Sequence, residues 1–215
     1  MMLTIKEMKE RVLENTLAAY NEGLFAGTSG NLSVCDEAKE QLAITPSSFP
    51  YEKMTLDDIM VIRMADGSVV EGRHQPSSEW RMHRAILRGR ADIFGVVHTH
   101  SPYATSFAVT AMPIPLILIE MLVYIGGDIP VAEFALPGSD TLGETVGATL
   151  ARRNACLMAN HGAVAVGATL EQAHLRAVYV EDAAKIYSLA LAAGRVHLIP
   201  EEAVKAMKTR LGLPD

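Results

Sequence analysis

The stretch GVVHTHSPYATS, residues 95–106, opens with a short apolar run in which two histidines stand one residue apart. Together with the preceding residues 92–94, this run predicts a buried β-strand. Alternate residues of a strand project to the same face, so His98 and His100 can bind one metal ion together. The pattern also fits two exposed histidines at a strand end, and the metal interpretation therefore needs a further ligand elsewhere in the chain.

A third candidate ligand follows another apolar run. His161 lies in an Asn-His-Gly sequence, residues 160–162, where a tight turn between two strand-like segments is expected. Three imidazoles suit zinc, which in catalytic centres commonly takes three protein ligands and leaves one position open, although cobalt or manganese can use the same ligands. The other histidines lie in polar or helical contexts and are predicted to be solvated: His74, His83, His174 and His197.

Glu79 follows two serines at the start of a predicted helix. An acid in the first helical turn complements the helix dipole, and this needs no further role. Beside a metal ion, the same carboxylate can ligate the ion or act as a general base toward a bound substrate. Both interpretations of Glu79 stay open at this point.

Two turns and one helix start are rich in hydroxyl and amide groups. Each can be an ordinary turn without a function. Taken together, helix-terminal amides and hydroxyl donors suit a phosphate group. Neither a G-x-G-x-x-G motif nor a P-loop lysine motif is present, so a sugar phosphate fits better than a nucleotide. The candidate phosphate-binding residues are Thr28, Asn31, Ser47, Ser48, Ser77 and Ser78.

The order of the predicted elements indicates one α/β or α+β domain over residues 1–215. Residues 4–7 form a capping box at the start of an amphipathic helix. The Asp-Gly dipeptide at 66–67 predicts a hairpin turn between two apolar runs. A further helix is expected to begin with Ser77 or Ser78 as its cap.

Composition and charge limit the classes of partner that we expect for this chain. Hydrophobic residues make up 49% of the chain, charged residues 20%, and the formal net charge is −6. This is a globular composition, and the scattered Lys and Arg do not form the basic patch that a nucleic acid or a membrane surface requires. The charged N-terminal segment does not resemble a secretory signal, so we expect a cytoplasmic protein without nucleic-acid or membrane partners.

Five motifs, in this order, resemble the class II aldolase and epimerase family, which includes the adducin head. They are GTSGNLS, ITPSSFPYEKM, PSSEWRMH, VVHTHSPYATS and ANHGAVAVG, and they cover nearly the whole chain. The resemblance implies a mixed, mainly antiparallel β-sheet flanked by helices, and a fourfold-symmetric homotetramer with active sites at subunit interfaces. It also implies a zinc site formed by His98, His100 and His161, with Glu79 as a further ligand and as the catalytic acid/base.

The reaction that the resemblance implies is the reversible cleavage of a ketose 1-phosphate to dihydroxyacetone phosphate and a small aldehyde. The metal would stabilise an enediolate, Glu79 would protonate it, and the six hydroxyl and amide residues would bind the phosphate. Two positions depart from the aldolase pattern, because Ser48 stands where glycine is usual and Glu120 lies near the position of a catalytic tyrosine. Glu120 is thus either a second catalytic residue or a buried structural acid paired with an arginine across a subunit interface.

Other members of the family leave alternatives open. The 4-epimerases that act on a sugar phosphate carry an aspartate at the position of Glu79, so the glutamate favours an aldolase. A sugar-phosphate decarboxylase or dehydratase would keep the glutamate. A non-catalytic, adducin-like scaffold would lack the metal site, whereas this chain retains the three histidines and Glu79.

Overall fold

Eight strands form one sheet in this computed structural model, which describes residues 3–212. The strands are β1 (Asn31–Cys35), β2 (Gln41–Ile44), β3 (Met60–Arg63), β4 (Val69–Glu71), β5 (Gly95–Thr99), β6 (Val131–Ala132), β7 (Ala155–Met158) and β8 (Gly162–Gly167). Their order is β4-β3-β2-β1-β5-β8-β7-β6, and every neighbouring pair is antiparallel except β6 with β7. The expectation of a mixed, mainly antiparallel sheet is confirmed.

Five of the six α-helices in the described residues cover the two faces of the sheet. The six helices are α1 (Ile5–Asn21), α2 (Trp80–Gly89), α3 (Pro102–Val109), α4 (Asp140–Thr149), α5 (Leu170–Ala193) and α6 (Glu201–Leu211). Short 3-10 turns occupy Tyr51–Lys53, Leu56–Asp58 and Leu150–Arg152, and Met121–Ile125 forms a π-helical turn. Helices α1, α3 and α5 pack on one face, whereas α2 and α4 pack on the other. The sixth helix, α6, lies against the π-helical turn.

Alternation along the strands divides the apolar residues between two cores. On β5, Val97 belongs to the core under α1, α3 and α5, and Val96 belongs to the core under α2 and α4. Because residues two apart share a face, His98 lies on the same side of the sheet as Val96 and α2. The strand therefore directs this histidine toward the start of α2.

Two local predictions are confirmed. The Thr4 hydroxyl accepts from the amide of Glu7, and the Glu7 carboxylate accepts from the amide of Thr4, which completes the capping box. The hairpin between β3 and β4 turns at residues 66–67, where Asp66 accepts a hydrogen bond from the amide of Ser68. Short-range signals of this kind depend on neighbouring residues alone, which is why the sequence reveals them.

The predicted cap of α2 was wrong. The helix begins at Trp80 with Glu79 as the residue before it, and neither Ser77 nor Ser78 caps it. The Ser77 hydroxyl instead accepts a hydrogen bond from the amide of Glu79, and the Ser77 amide donates to the carbonyl of Thr45. Residues 77–79 are thus held by the loop that contains Thr45, and Glu79 is the residue at the start of α2.

Two of the histidines expected to be solvated, outside the candidate site, have partners. His174 is buried between α5 and α1, where its ring contacts Asn15 and Glu22. His74 is half-buried and pairs with Asp58. His197 is exposed, as predicted. His174 was mispredicted because it lies on the side of α5 that packs against α1, and the sequence of α5 alone does not show this contact.

No helix within residues 3–212 is both long enough and apolar enough to cross a membrane.

The close approach of β5 to α5 makes a stability prediction. A Cβ atom at Gly95 would lie 2.6 to 2.8 Å from backbone atoms of Thr169 and Leu170 at the start of α5. Gly95→Ala should therefore lower the free energy of unfolding, measured by urea denaturation, by about 1–3 kcal/mol. The matched control is Gly147→Ala in α4, where nothing lies within 4 Å and stability should hold or rise. Equal losses in both variants would contradict the packing argument.

Candidate metal and catalytic site

The three predicted histidine ligands meet at one edge of the sheet. His98 lies on β5, His100 follows the end of that strand, and His161 lies in the turn between β7 and β8. Because β5 and β8 are antiparallel, the end of β5 and the start of β8 share this edge. One ligand nitrogen from each imidazole lies within 4.8 Å of the others, which is close enough for the three to share one metal ion.

Backbone contacts orient the imidazole of His98. Its Nδ1 lies 2.9 Å from the carbonyl oxygen of Ala163 on the neighbouring strand. A carbonyl only accepts, so Nδ1 carries a proton and Nε2 is the nitrogen that can face a metal ion. The Nε2 atoms of His98 and His100 are 2.9 Å apart, which directs both toward the centre of the cluster. This carbonyl-to-imidazole arrangement is the one that commonly fixes metal-binding histidines.

The turn that carries His161 is tight. Asn160 has a left-handed backbone with φ of 56°, and the amide of His161 donates to the carbonyl of Met158. A Cβ atom at Gly162 would lie 2.3 Å from the carbonyl oxygen of Thr99, so only glycine lets β8 approach β5 here. This close approach is what brings His161 next to His98.

Burial keeps two of the imidazoles neutral. It lowers the pKa of His100 to about 4, with further lowering from His98 and His161. It also lowers the pKa of His161 to about 4, again helped by His98. At neutral pH both rings therefore offer lone pairs, which is the form that binds a metal.

Glu79 completes the site beside the histidines. Its carboxylate is only 5% exposed, with Oε2 3.1 Å from Nε2 of His98 and Oε1 3.4 Å from Nε2 of His161. Burial by itself raises the pKa of Glu79, but the neighbouring histidines and a hydrogen bond from Asn31 outweigh burial. The pKa of Glu79 thus lies below the usual glutamate range, and the side chain is an anion.

The donor set fits a divalent cation. Oε2 of Glu79 lies 3.1 Å from Nε2 of His98, and this approach is favourable only when that nitrogen carries positive charge, as a proton or as a bound metal ion. Among the described residues, two buried atoms at this place have no hydrogen-bond partner: Glu79 Oε1 and His161 Nδ1. Three imidazoles and a carboxylate are ligands that zinc commonly takes.

A buried chain of hydrogen bonds holds Glu79. The Asn31 amide nitrogen donates to Glu79 Oε2 at 2.9 Å, which leaves the Asn31 oxygen to face His83 Nε2 at 2.5 Å. That oxygen can only accept, so His83 Nε2 is the donor and His83 Nδ1 accepts from the Ser33 hydroxyl at 2.6 Å. Burial lowers the pKa of His83 to about 3. The ring therefore stays neutral at neutral pH, and the hydrogen bonds keep running from Ser33 through His83 to Asn31.

The prediction that His83 is solvated was therefore wrong, since its side chain is fully buried. Two spacings in the sequence indicate that these residues could meet. His83 lies four residues after Glu79, so both fall on the same side of the helix, and Ser33 lies two residues after Asn31 on the same face of β1. What the sequence could not show is that β1 lies beneath α2.

The predicted phosphate-binding segments lie side by side. Pro46 and Pro76 form an isolated bridge, and the amide of Ser47 donates to the carbonyl of Gln75. The Tyr51 hydroxyl bonds the carbonyls of Ser29 and Gly30, which fastens the turn around residue 28 nearby. Of the candidate residues, four are exposed, namely Thr28, Ser47, Ser48 and Ser78. The other two, Ser77 and Asn31, are buried, and Asn31 contacts Glu79.

Ser48 has a left-handed backbone with φ of 52°, the conformation that glycine adopts most readily. This backbone is compatible with the glycine that the resemblance implies for this position. The serine adopts it with a small conformational penalty and adds a hydroxyl to the turn.

Glu120 is separate from the histidine cluster within one chain. It is exposed and directly precedes the π-helical turn Met121–Ile125. No hydrogen bond or ion pair joins it to the histidines in the part of the chain that the structure describes. Exposure in the single chain is compatible with both interpretations, a catalytic residue or a structural acid paired across a subunit interface, so both stay predictions.

The sequence model of the Class II Aldolase and Adducin N-terminal domain family matches residues 10–188. This span is most of the chain, so the protein belongs to that family. The resemblance found in the five sequence motifs is confirmed.

Individual relatives include both aldolases and epimerases. The chain is similar to the 5-deoxy-D-ribulose 1-phosphate aldolase of Bacillus thuringiensis serovar kurstaki, with 32% identity over 200 residues that cover 93% of each chain. It is 38% identical to the L-ribulose-5-phosphate 4-epimerase UlaF of Salmonella paratyphi B over 140 residues, 65% of this chain and 60% of the relative. A solved L-fuculose 1-phosphate aldolase superposes with a TM-score of 0.90 at 35% identity, covering 99% of both chains.

The histidine cluster predicts metal binding. We expect the purified protein to bind one divalent ion per chain, measured by elemental analysis after loading with zinc or cobalt. His98→Ala should lose this ion, because it removes the most buried nitrogen of the cluster. His197→Ala is the matched control, since this exposed histidine lies outside the cluster. Full metal content in His98→Ala would show that the ligand set is wrong.

The chain of hydrogen bonds behind Glu79 predicts a stability difference between two serines. Ser33→Ala should lower the free energy of unfolding by about 1–3 kcal/mol, because it leaves a buried imidazole nitrogen without its donor. Ser106→Ala removes an exposed hydroxyl that donates to the carbonyl of Tyr103, and it should change stability far less. Chemical denaturation of both variants measures the difference, and similar losses would argue against the buried chain.

Proposed function

We propose that this protein is a divalent-metal aldolase that reversibly cleaves a ketose 1-phosphate, of the L-fuculose 1-phosphate type, to dihydroxyacetone phosphate and a small aldehyde. The observation that carries the proposal is the buried, ionised Glu79 beside three converging imidazoles. A carboxylate in this setting can remove a proton from, or return one to, the carbon atom next to a polarised substrate carbonyl. The family membership and the aldolases among its relatives support the same class of reaction.

His98, His100 and His161, with Glu79, would hold the metal, for which zinc is the first choice and cobalt or manganese are alternatives. When bound, the metal supplies a Lewis acid that stabilises negative charge on the oxygens of the substrate. The protein supplies the ligands in fixed orientations, since the His98 ring is held by the Ala163 carbonyl. Preorganisation of this kind lowers the cost of binding the substrate in a reactive geometry.

Glu79 is the proposed acid/base at C3. Its Oε2 accepts from Asn31, whereas Oε1 has no hydrogen-bond partner among the described residues. In the condensation direction, Oε1 would take a proton from C3 of dihydroxyacetone phosphate, and the electron pair left at C3 would form the bond to the aldehyde carbon. In cleavage the C3–C4 bond breaks and the electron pair stays with C3, where Glu79 delivers a proton. The proton released from the oxygen at C4 replaces it, so that one proton moves from that oxygen to C3 overall.

A second proton has to be exchanged with the oxygen at C4. Glu120 is the proposed group for this step, contributed from a neighbouring subunit of a homotetramer. Support comes from the exposure of Glu120 and from large apolar side chains close to it in sequence that are also exposed, Ile119 and Val123. Exposed apolar groups of this kind are typical of subunit interfaces.

The phosphate is proposed to bind in the paired loops beside the metal site. Thr28, Ser47, Ser48 and Ser78 present exposed hydroxyls there, while Ser77 and Asn31 are buried behind them. Their neutral donors would recognise the anion through hydrogen bonds without a lysine or arginine. The buried position of Asn31 gives it a double role, since the same side chain holds Glu79.

The similarity to a sugar-phosphate 4-epimerase makes that reaction the second candidate. An epimerase and an aldolase of this kind share the chemistry of breaking a carbon–carbon bond, and they differ in whether the fragments leave. Glu79 favours the aldolase because the epimerase pattern has an aspartate at this position.

The experiment is an assay for dihydroxyacetone phosphate released from ketose 1-phosphates that differ at carbons 5 and 6, with L-fuculose 1-phosphate and 5-deoxyribulose 1-phosphate included. We expect release that a chelator abolishes. Glu79→Gln should lower turnover by about 10²- to 10⁴-fold while the metal stays bound, because it preserves size and removes the titrating group. Glu144→Gln, an exposed glutamate in α4, is the control and should retain full turnover.

Two results would contradict the aldolase. Metal binding without release of dihydroxyacetone phosphate would favour the epimerase or a decarboxylase. Full turnover in Glu79→Gln would remove this residue from the mechanism.

A further inference from the structure

A second cavity lies at the opposite edge of the sheet from the histidines. It is bounded by the segments before β5 and β7 and after β8, together with α5 and α6. Because β8 runs antiparallel to both β5 and β7, these strand ends lie at one edge and the histidine cluster lies at the other. The cavity has a volume of about 630 Å³, which is within the range of pockets that hold small molecules.

The lining of this cavity is strongly basic. Five cationic side chains and one acidic side chain line it, which are Arg90, Arg152, Arg153, Arg176, Lys208 and Asp92. The whole chain carries a net charge of −6, so this local excess of positive charge runs against the average. A local cluster of positive charges of this kind attracts a negatively charged ligand.

Two of the cations are already compensated. Arg90 pairs with Asp92, with a nitrogen to oxygen distance of 2.6 Å, and Arg153 pairs with Asp128 at 2.9 Å. Arg90 also donates to the carbonyls of Leu150 and Arg153, which holds its guanidinium in place. The charges of Arg90 and Arg153 are therefore already balanced within the chain.

The other three cations, Arg152, Arg176 and Lys208, have no acidic partner in the described part of the chain. Arg176 is half-buried and donates only to backbone carbonyls, those of Tyr124 and Val166. Burial, followed by the charge of Arg90, lowers the pKa of Arg176, and the charge of Asp92 offsets only part of this. An anion in the cavity would supply the missing compensation.

The start of α5 adds to the positive potential. Ala168 and Gln172 line the cavity, and the first turn of the helix begins between them. Helix N-termini carry a partial positive charge. Together with arginines, which bind phosphate oxygens through paired N–H groups, they favour a phosphoryl group over a neutral ligand.

We propose that this basic cavity, formed by Arg90, Arg152, Arg153, Arg176 and Lys208, binds a small phosphorylated anion. The site is separate from the proposed substrate site, because it lies at the other edge of the sheet and shares none of its residues. Its occupant carries at least two negative charges, because three cations of the lining have no acidic partner among residues 3–212. The proposal does not depend on the aldolase reaction.

Binding of inorganic pyrophosphate, measured by calorimetry at low ionic strength, tests the proposal. We expect saturable binding that the double variant Arg152→Gln/Lys208→Gln weakens by about tenfold or more, because two charge-assisted contacts are lost. Neither side chain makes a hydrogen bond or ion pair within residues 3–212, so the variant should fold. Lys205→Gln/Arg210→Gln removes two positive charges from α6 outside the cavity and should leave the affinity within about twofold.

A second variant separates this cavity from the proposed phosphate pocket. Ser77→Ala/Ser78→Ala alters that pocket and should keep the pyrophosphate binding that depends on Arg152 and Lys208. Absence of saturable binding in the unmodified protein would overturn the proposal. Equal weakening in the cavity variant and in the Lys205→Gln/Arg210→Gln control would also overturn it, because the effect would then be one of net charge.

Discussion

The burial of the Glu79 carboxylate is the constraint on which the rest of the site depends. An ionised carboxylate taken from water is strongly destabilising unless other groups compensate its charge. Here Asn31 donates to the carboxylate, the imidazoles of His98 and His161 lie within 3.4 Å of it, and a bound metal ion would supply the remaining positive charge. Each of these three residues comes from a different part of the chain, so the site forms only when the sheet and α2 are assembled.

The sheet supplies that assembly through its pairing. Asn31 on β1 stands opposite His98 on β5, and His98 stands opposite Val164 on β8. A shift of one residue in either pairing would turn His98 away from α2 and place its ring in the other core. The backbone is correspondingly tight, since Gly162 approaches the carbonyl of Thr99 too closely for any side chain. Packing and chemistry are thus set by the same strand contacts.

Much of this could be predicted from local patterns in the sequence. The histidines at 98 and 100 follow from strand alternation, and the capping box and the hairpin turn depend only on neighbouring residues. The cap of α2 and the state of His83 were mispredicted, because both depend on contacts with β1 and with the loop around Thr45, which lie far away in sequence. The basic cavity was missed for the same reason, since its cations are scattered singly along the chain and meet only in the folded protein.

The most direct test of the account is the X-ray absorption spectrum of the zinc-loaded protein at the metal edge. The account predicts a first shell of nitrogen and oxygen atoms at about 2.0–2.1 Å, with the scattering pattern of three imidazoles. The pattern should fall to two imidazoles in the variant His161→Ala, which removes the ligand from the β7–β8 turn. A shell with fewer than three imidazoles in the unmodified protein, or one that contains sulfur, would contradict the proposed metal centre.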